Sequence, residues 1–136
     1  MRRRLLLGYQ LLTGLPDAAT GVLLIVVPAT ALHLMGLHAA MGALPYLSYI
    51  GVFVLSTGVA CLYGGLLAFR PADARRLEVV WILTAITRGL VAAFVIVKIL
   101  SGVLEAGWIA VALTDGTFAM LQAIGLARGW LSDVAE

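Results

Sequence analysis

The sequence predicts an all-α fold, a bundle of four membrane-crossing helices running up-down-up-down in a single domain over residues 1–136. Composition, apolar run lengths and the placement of the basic residues all lead there. Of the residues, 62% are hydrophobic and 12% charged, with a mean hydropathy of +1.07. A soluble domain carries about 25% charged residues and a disordered chain is poor in apolar ones. That balance excludes both an ordinary soluble enzyme and a disordered segment.

Four apolar runs lie between charged or turn-rich breaks, over residues 5–28, 46–69, 78–100 and 108–127. At 1.5 Å per residue they reach roughly 30–36 Å, enough for a hydrocarbon core of about 30 Å. No run alternates with period two, and lipid forbids unpaired backbone, so helices are expected rather than barrel strands. The linker from Pro28 to Pro45 has room for a short interfacial turn. Those over Arg70–Leu77 and Ser101–Gly107 are tight and make their helices antiparallel neighbours. Arg2–Arg4 before the first run, with Ala29-Thr30-Ala31 after it, imitate a signal peptide. The run exceeds the usual h-region of about 7–15 residues, and a retained anchor is expected.

Orientation follows from the short-loop arginines. Arg2, Arg3, Arg4, Arg70, Arg75, Arg76 and Arg128 all fall on one side if there are four crossings, while Ala29–Pro45 and Ser101–Gly107 hold no Lys or Arg. Both termini are therefore expected in the cytoplasm, and in a bacterium the membrane would be the inner one. Trp108, Trp130, Tyr46 and Tyr49 fall where an aromatic belt belongs. The net charge of +2 does not form a groove-lining stripe, so nucleic acid is not expected as a partner.

Ionisable groups inside a membrane are costly and mark function or structure. Asp17, Arg88 and Asp115, on three different helices, come to about 15–18 Å from the arginine-bearing ends and share one layer. Ser56 and Thr57 belong to the same depth, and Thr13, Thr20, Thr84, Thr87, Thr114 and Thr117 thicken it. Gln10, Thr13, Asp17 and Thr20 lie on one helix face, as do Trp81, Thr84 and Arg88, and Ala112, Asp115, Ala119 and Gln122. Arg88 can bridge two carboxylates, and a second carboxylate left unpaired in low dielectric would hold a proton. Two readings follow: a network that locks helix register, or a cavity that binds a headgroup, a quinone-like or other small ligand, or a proton in transit. Lys98 is expected to snorkel toward Glu105.

No paired cysteine, His-Glu-x-x-His, Gly-x-Ser-x-Gly or phosphate loop is present, so no catalytic residue, metal site or cofactor is assigned. His33 and His38 sit in an outer loop region rather than on facing helices. Small-xxx-small pairs, Gly14 with Ala18, Ala60 with Gly64 and Gly125 with Gly129, allow close helix contact but are frequent by chance among 15 glycines.

Gly14-Leu15-Pro16-Asp17 through Gly21 to Pro28, Met35-Gly36, Tyr49-Ile50-Gly51, Thr57-Gly58, Arg88 and Asp115-Gly116 together resemble the small four-helix membrane proteins grouped as DoxX-like. The resemblance covers most of the chain and implies a four-helix bundle, with an association in some members with quinone-linked oxidoreductases. Some members also carry cysteines and an early intramembrane Arg and Lys that this chain lacks. The expected function is a non-catalytic small integral subunit or interaction module of a larger membrane assembly, with the bilayer and other membrane subunits or a second copy as partners. The alternatives are a small-ligand or proton-coupled transporter using the polar layer, with a lipid or quinone as ligand, and an intramembrane enzyme acting on a lipid or isoprenoid.

The four-crossing topology is tested by cysteine accessibility. Arg75→Cys is expected to react only from the cytoplasmic side and Ala39→Cys only from the other; labelling of both from one side removes the orientation.

Overall fold

A computed structural model describes residues 2–68 and 74–131; Phe69 and Arg70, assigned above to the second run and the basic loop, lie outside the described residues. The fold is an all-α four-helix bundle. Its helices are α1 (Arg2–Val26), α2 (Pro28–Leu34), α3 (Leu44–Leu67), α4 (Ala74–Leu100) and α5 (Ile109–Ala127), with single 3₁₀ turns at Met41–Ala43 and Ala106–Trp108. Four of them, α1, α3, α4 and α5, are long and apolar enough to cross a membrane. Many large apolar side chains point outward along all four, including Leu12, Phe53, Leu83, Phe94 and Leu113. In water that pattern would be a liability, and in lipid it is the expected exterior, so the chain is an integral membrane protein.

Helix boundaries differ from the apolar runs where local chemistry overrides hydropathy. The first run breaks at Val27, whose φ of −138° leaves the helical region, and Pro28 then opens α2 at its first position. Proline suits a helix start because its missing N–H is unused there. The break lies within one residue of the expected run end, and α2 occupies the linker expected to hold a short interfacial turn. At the other extreme, α4 begins at Ala74, four residues before the apolar run, because arginines and alanine favour helix as well as leucine does. The helices α2, α4 and α5 end alike, with Gly36, Gly102 and Gly129 at φ of 69°, 72° and 65°. In each, the next residue's N–H returns to a carbonyl five residues back: Leu37 to Leu32, Val103 to Lys98, and Trp130 to Gly125, all at 2.9 Å. This is the left-handed glycine cap, which a residue with Cβ adopts only with strain.

The bundle is built from two tight antiparallel pairs, α1 with α3 and α4 with α5; α3 also packs on α4, while the backbones of α1 and α5 stay apart. The α1–α3 pair is a backbone-on-backbone contact. A Cβ built on Gly21 would stand 2.4 Å from the Leu55 nitrogen, and one on Gly58 would stand 2.4 Å from the Ala18 nitrogen. Gly14 and Gly51 face the Leu62 and Leu24 side chains a little less closely, at 2.9 and 2.8 Å. Two seven-residue glycine spacings, Gly14 to Gly21 and Gly51 to Gly58, thus mesh face to face, and dispersion at that distance does the work that hydrophobicity cannot do in lipid. At the end of the bundle away from the arginines, Leu32 of α2 packs with Leu37 and Leu47, and Leu44 and Trp108 pack against them. At the arginine-bearing end, Leu6, Leu67, Ala68, Leu77, Trp81 and Leu131 form the other cluster.

Gly58→Ala is expected to lower stability in detergent by about 1–3 kcal/mol, the usual cost of overpacking. Gly8→Ala, with nothing within 4 Å of the new methyl, is the control and should be neutral or slightly stabilising. Equal denaturation midpoints for the two variants would remove the glycine mesh as the basis of the α1–α3 pair.

Candidate functional site: a buried arginine between two aspartates

Arg88 lies midway along α4, about 21 Å from its start at Ala74, and only 2% of its side chain is exposed. Its Nη1 donates to Asp115 Oδ1 of α5 at 2.6 Å, and its Nη2 donates to Asp17 Oδ2 of α1. One guanidinium therefore joins three of the four spans. Each carboxylate takes one nitrogen, so the group works as a bridge rather than as a two-toothed clamp on a single acid. Phe118 of α5 lies under it, with the guanidinium carbon 5.2 Å from the ring centre, a cation–π contact that gains strength where water is absent. The thiol of the fully buried Cys61 of α3 is a further neighbour of Arg88.

Below this layer, toward the arginine-bearing end, the interior stays polar. Gln122 Nε2 donates to Thr84 Oγ1 at 2.7 Å, and that hydroxyl donates to the Val80 carbonyl of its own helix at 2.8 Å. One turn further, Trp81 Nε1 donates to Gln10 Oε1 at 2.7 Å while Gln10 Nε2 donates to the Cys61 carbonyl at 3.2 Å. Gln10, Thr13, Thr84 and Gln122 are all buried. Tyr9 completes the column by packing on Trp81 at 5.2 Å and edge-on to Phe118 at 5.9 Å, its hydroxyl making a long 3.4 Å contact to the Phe118 carbonyl. Among the described residues, two buried side-chain polar atoms have no hydrogen-bond partner, Arg88 Nε and Gln122 Oε1. In the opposite half of the bundle the buried side chains are aliphatic or small: Leu24, Ala92, Val95 and Ala112.

The eleven residues expected in the layer do not all meet, and Thr117 is exposed. Asp17, Arg88 and Asp115 come together directly, and Thr13 and Thr84 are buried beside them on the same faces. Thr20 and Thr57 are half-buried and Thr57 donates to its own helix, at the Phe53 carbonyl. Ser56, Thr87 and Thr114 are exposed, and each donates to the carbonyl four residues back, at 2.8, 3.0 and 2.8 Å. Such back-bonding lets a hydroxyl face lipid at little cost, so depth alone does not bring a Ser or Thr into the interior. Lys98 places its ammonium 5.6 Å from the Phe94 ring centre instead of pairing with Glu105. His33 and His38 are exposed, and among the described residues no group of three metal-ligating side chains converges.

Tyr9, Cys61 and Phe118 are the site residues that the polar pattern missed. Their signal was present in spacing: Tyr9 is two turns before Asp17, and Phe118 one turn after Asp115. No family model, no curated protein and no solved structure matches the chain.

Removing one member of a buried charge set costs about 3–5 kcal/mol, so Arg88→Leu is expected to lower the denaturation midpoint in detergent far more than Lys98→Leu. The combined Asp17→Asn, Arg88→Leu, Asp115→Asn variant is expected to recover much of that loss. Equal midpoints for Arg88→Leu and the parent would mean that the three groups do not hold the bundle together.

Proposed function

We propose that the protein is a non-catalytic integral subunit or interaction module of a larger membrane assembly, in a bacterium an assembly of the inner membrane with both termini cytoplasmic. The observation that supports this reading is that the charged groups of the interior consume one another. Both terminal nitrogens of Arg88 are spent on aspartates, its face is covered by Phe118, and the neighbouring Gln and Thr side chains are bonded along the column. A network so engaged holds a shape rather than turning over a substrate. What remains for interaction is the apolar exterior of four spans, including the exposed Tyr46, Tyr49 and Phe53 of α3. The DoxX-like resemblance, with its association with quinone-linked oxidoreductases, agrees with an accessory role.

One observation favours a second reading, a proton- or small-ligand-handling site. The triad holds two carboxylates to one cation, and Asp17 and Asp115 are still 22% and 20% exposed where α1 and α5 stand apart. An excess of one negative charge in low dielectric attracts a proton or a cationic group.

Purification in gentle detergent followed by native mass spectrometry separates the readings. A stoichiometric protein partner, or a stable self-association, is the expected result. A chain that runs alone overturns the subunit reading, and proton uptake by reconstituted vesicles that is lost in the charge-free triple variant establishes the second.

A further inference from the structure

Between α1 and α5, at the arginine-bearing end, a cavity of about 270 Å³ is lined by Leu5, Leu6 and Tyr9 of α1, Trp81 of α4, Leu121 of α5 and Trp130 just beyond it. It occupies the seam between α1 and α5, which the backbones do not close. Leu5 and Leu121 remain 65% and 39% exposed, so the cavity opens sideways into the hydrocarbon rather than into water. Its walls are aliphatic and aromatic, and its two polar edges are already engaged, Trp81 Nε1 by Gln10 and the Tyr9 hydroxyl by the Phe118 carbonyl. Nothing in the walls would orient a polar ligand; they suit a hydrocarbon chain.

The rim supplies the missing polarity. Arg4 immediately precedes Leu5, and Arg128 stands two residues before Trp130, so both arginine Cα atoms lie within about 7 Å of a lining residue's Cα. Both side chains are exposed. Two arginines from opposite sides of a seam, above an apolar slot that opens to lipid, match the charge and shape of an anionic amphiphile. Trp130 at the mouth is the kind of side chain that settles at the headgroup level.

We propose that this seam is a binding site for an anionic phospholipid of the leaflet on the arginine-bearing side, its headgroup phosphate held by Arg4 and Arg128 and one acyl chain inserted between Leu5, Tyr9, Trp81 and Leu121. The site stands on the membrane-spanning fold and is independent of the subunit reading, since a lipid would occupy the seam in a lone chain and in an assembly alike.

The test uses the full chain in detergent with added phosphatidylglycerol or phosphatidylcholine of identical acyl chains, read by native mass spectrometry. A second readout is quenching of tryptophan fluorescence by the same lipids brominated on the chain. Phosphatidylglycerol is expected to be retained at least tenfold better, with each of Arg4→Ala and Arg128→Ala lowering that preference roughly fivefold. Leu121→Trp, which fills the slot, is expected to reduce retention of both lipids and, in the mass measurement, to leave their ratio unchanged. Because all three positions are exposed, the variants should melt as the parent does. Equal retention of the two lipids, or a preference unchanged in the double arginine variant, overturns the proposal. So does a quinone analogue that occupies the slot and displaces both lipids without dependence on Arg4 and Arg128.

Discussion

Three spans depend on one guanidinium. A lone arginine or aspartate near the middle of a bilayer is costly on every scale in use, and the cost falls only when the charges meet. Arg88, Asp17 and Asp115 therefore constrain rotation and depth together: α1, α4 and α5 must each turn its midplane charge inward, and must bring it to the same height. A rotation of α5 by one residue, about 100°, would turn Asp115 away from Arg88 and toward lipid. Packing of leucines against leucines sets no such limit in hydrocarbon, where both faces are equally at home.

The pairings and the packing divide the bundle between them. Glycine meshing holds α1 against α3, and small residues let α4 approach α5, with Gly116 facing Ala92 and Gly89 facing Ala119. These contacts make two pairs but join them only along α3 and α4. Between the two apolar end clusters, polar and aromatic contacts also reach from one pair to the other: Arg88 with Asp17, Trp81 with Gln10, and Tyr9 with Trp81 and Phe118. A glycine contact is strong but short, and it brings backbones together. An arginine or tryptophan reaches further and keeps them apart. The open seam between α1 and α5 is the geometric result of using long side chains there. Glycine at Gly64 and Gly125 supports that choice, since a Cβ at either would run into Gln10 or Trp81 at 2.6 Å.

The four spans and the meeting of Asp17, Arg88 and Asp115 were legible in the sequence because both rest on one-dimensional quantities, apolar run length and depth along a helix. Azimuth was legible only along the polar stripes of α1, α4 and α5, whose uncharged members Gln10, Thr13, Trp81, Thr84 and Gln122 are buried. Ser56, Thr87 and Thr114 share the depth of the triad yet face outward, and a hydroxyl that bonds its own helix carries no signal of direction. The glycines posed the same difficulty. Among 15, the chain-wide pattern did not single out Gly21, Gly51 and Gly58, because their significance lies in which residue of the other helix stands opposite. The break at Val27 falls within one residue of the run end expected at Pro28, and α2 fills the linker that had room for a short turn. Tyr9 and Phe118 were passed over for a related reason: an aromatic residue in a span is ordinary until a cation is found beside it.

The seam and the triad are mechanically linked. Asp17 and Asp115 sit on its two sides, and Arg88 bonds both from behind, so any separation of α1 from α5 at the midplane must lengthen at least one charge-assisted bond in a medium where such bonds are strong. The midplane of the seam is thus held by charge-assisted bonds to both of its sides. The cavity lined by Leu5, Tyr9 and Leu121 lies nearer the arginine-bearing end. A molecule wedged into that end would lever against the triad through Tyr9 and Phe118, which touch each other between the cavity and Arg88. Any coupling between the two is reciprocal: the factor by which protonation of the triad changes the affinity of the cavity is the factor by which occupancy changes the protonation equilibrium.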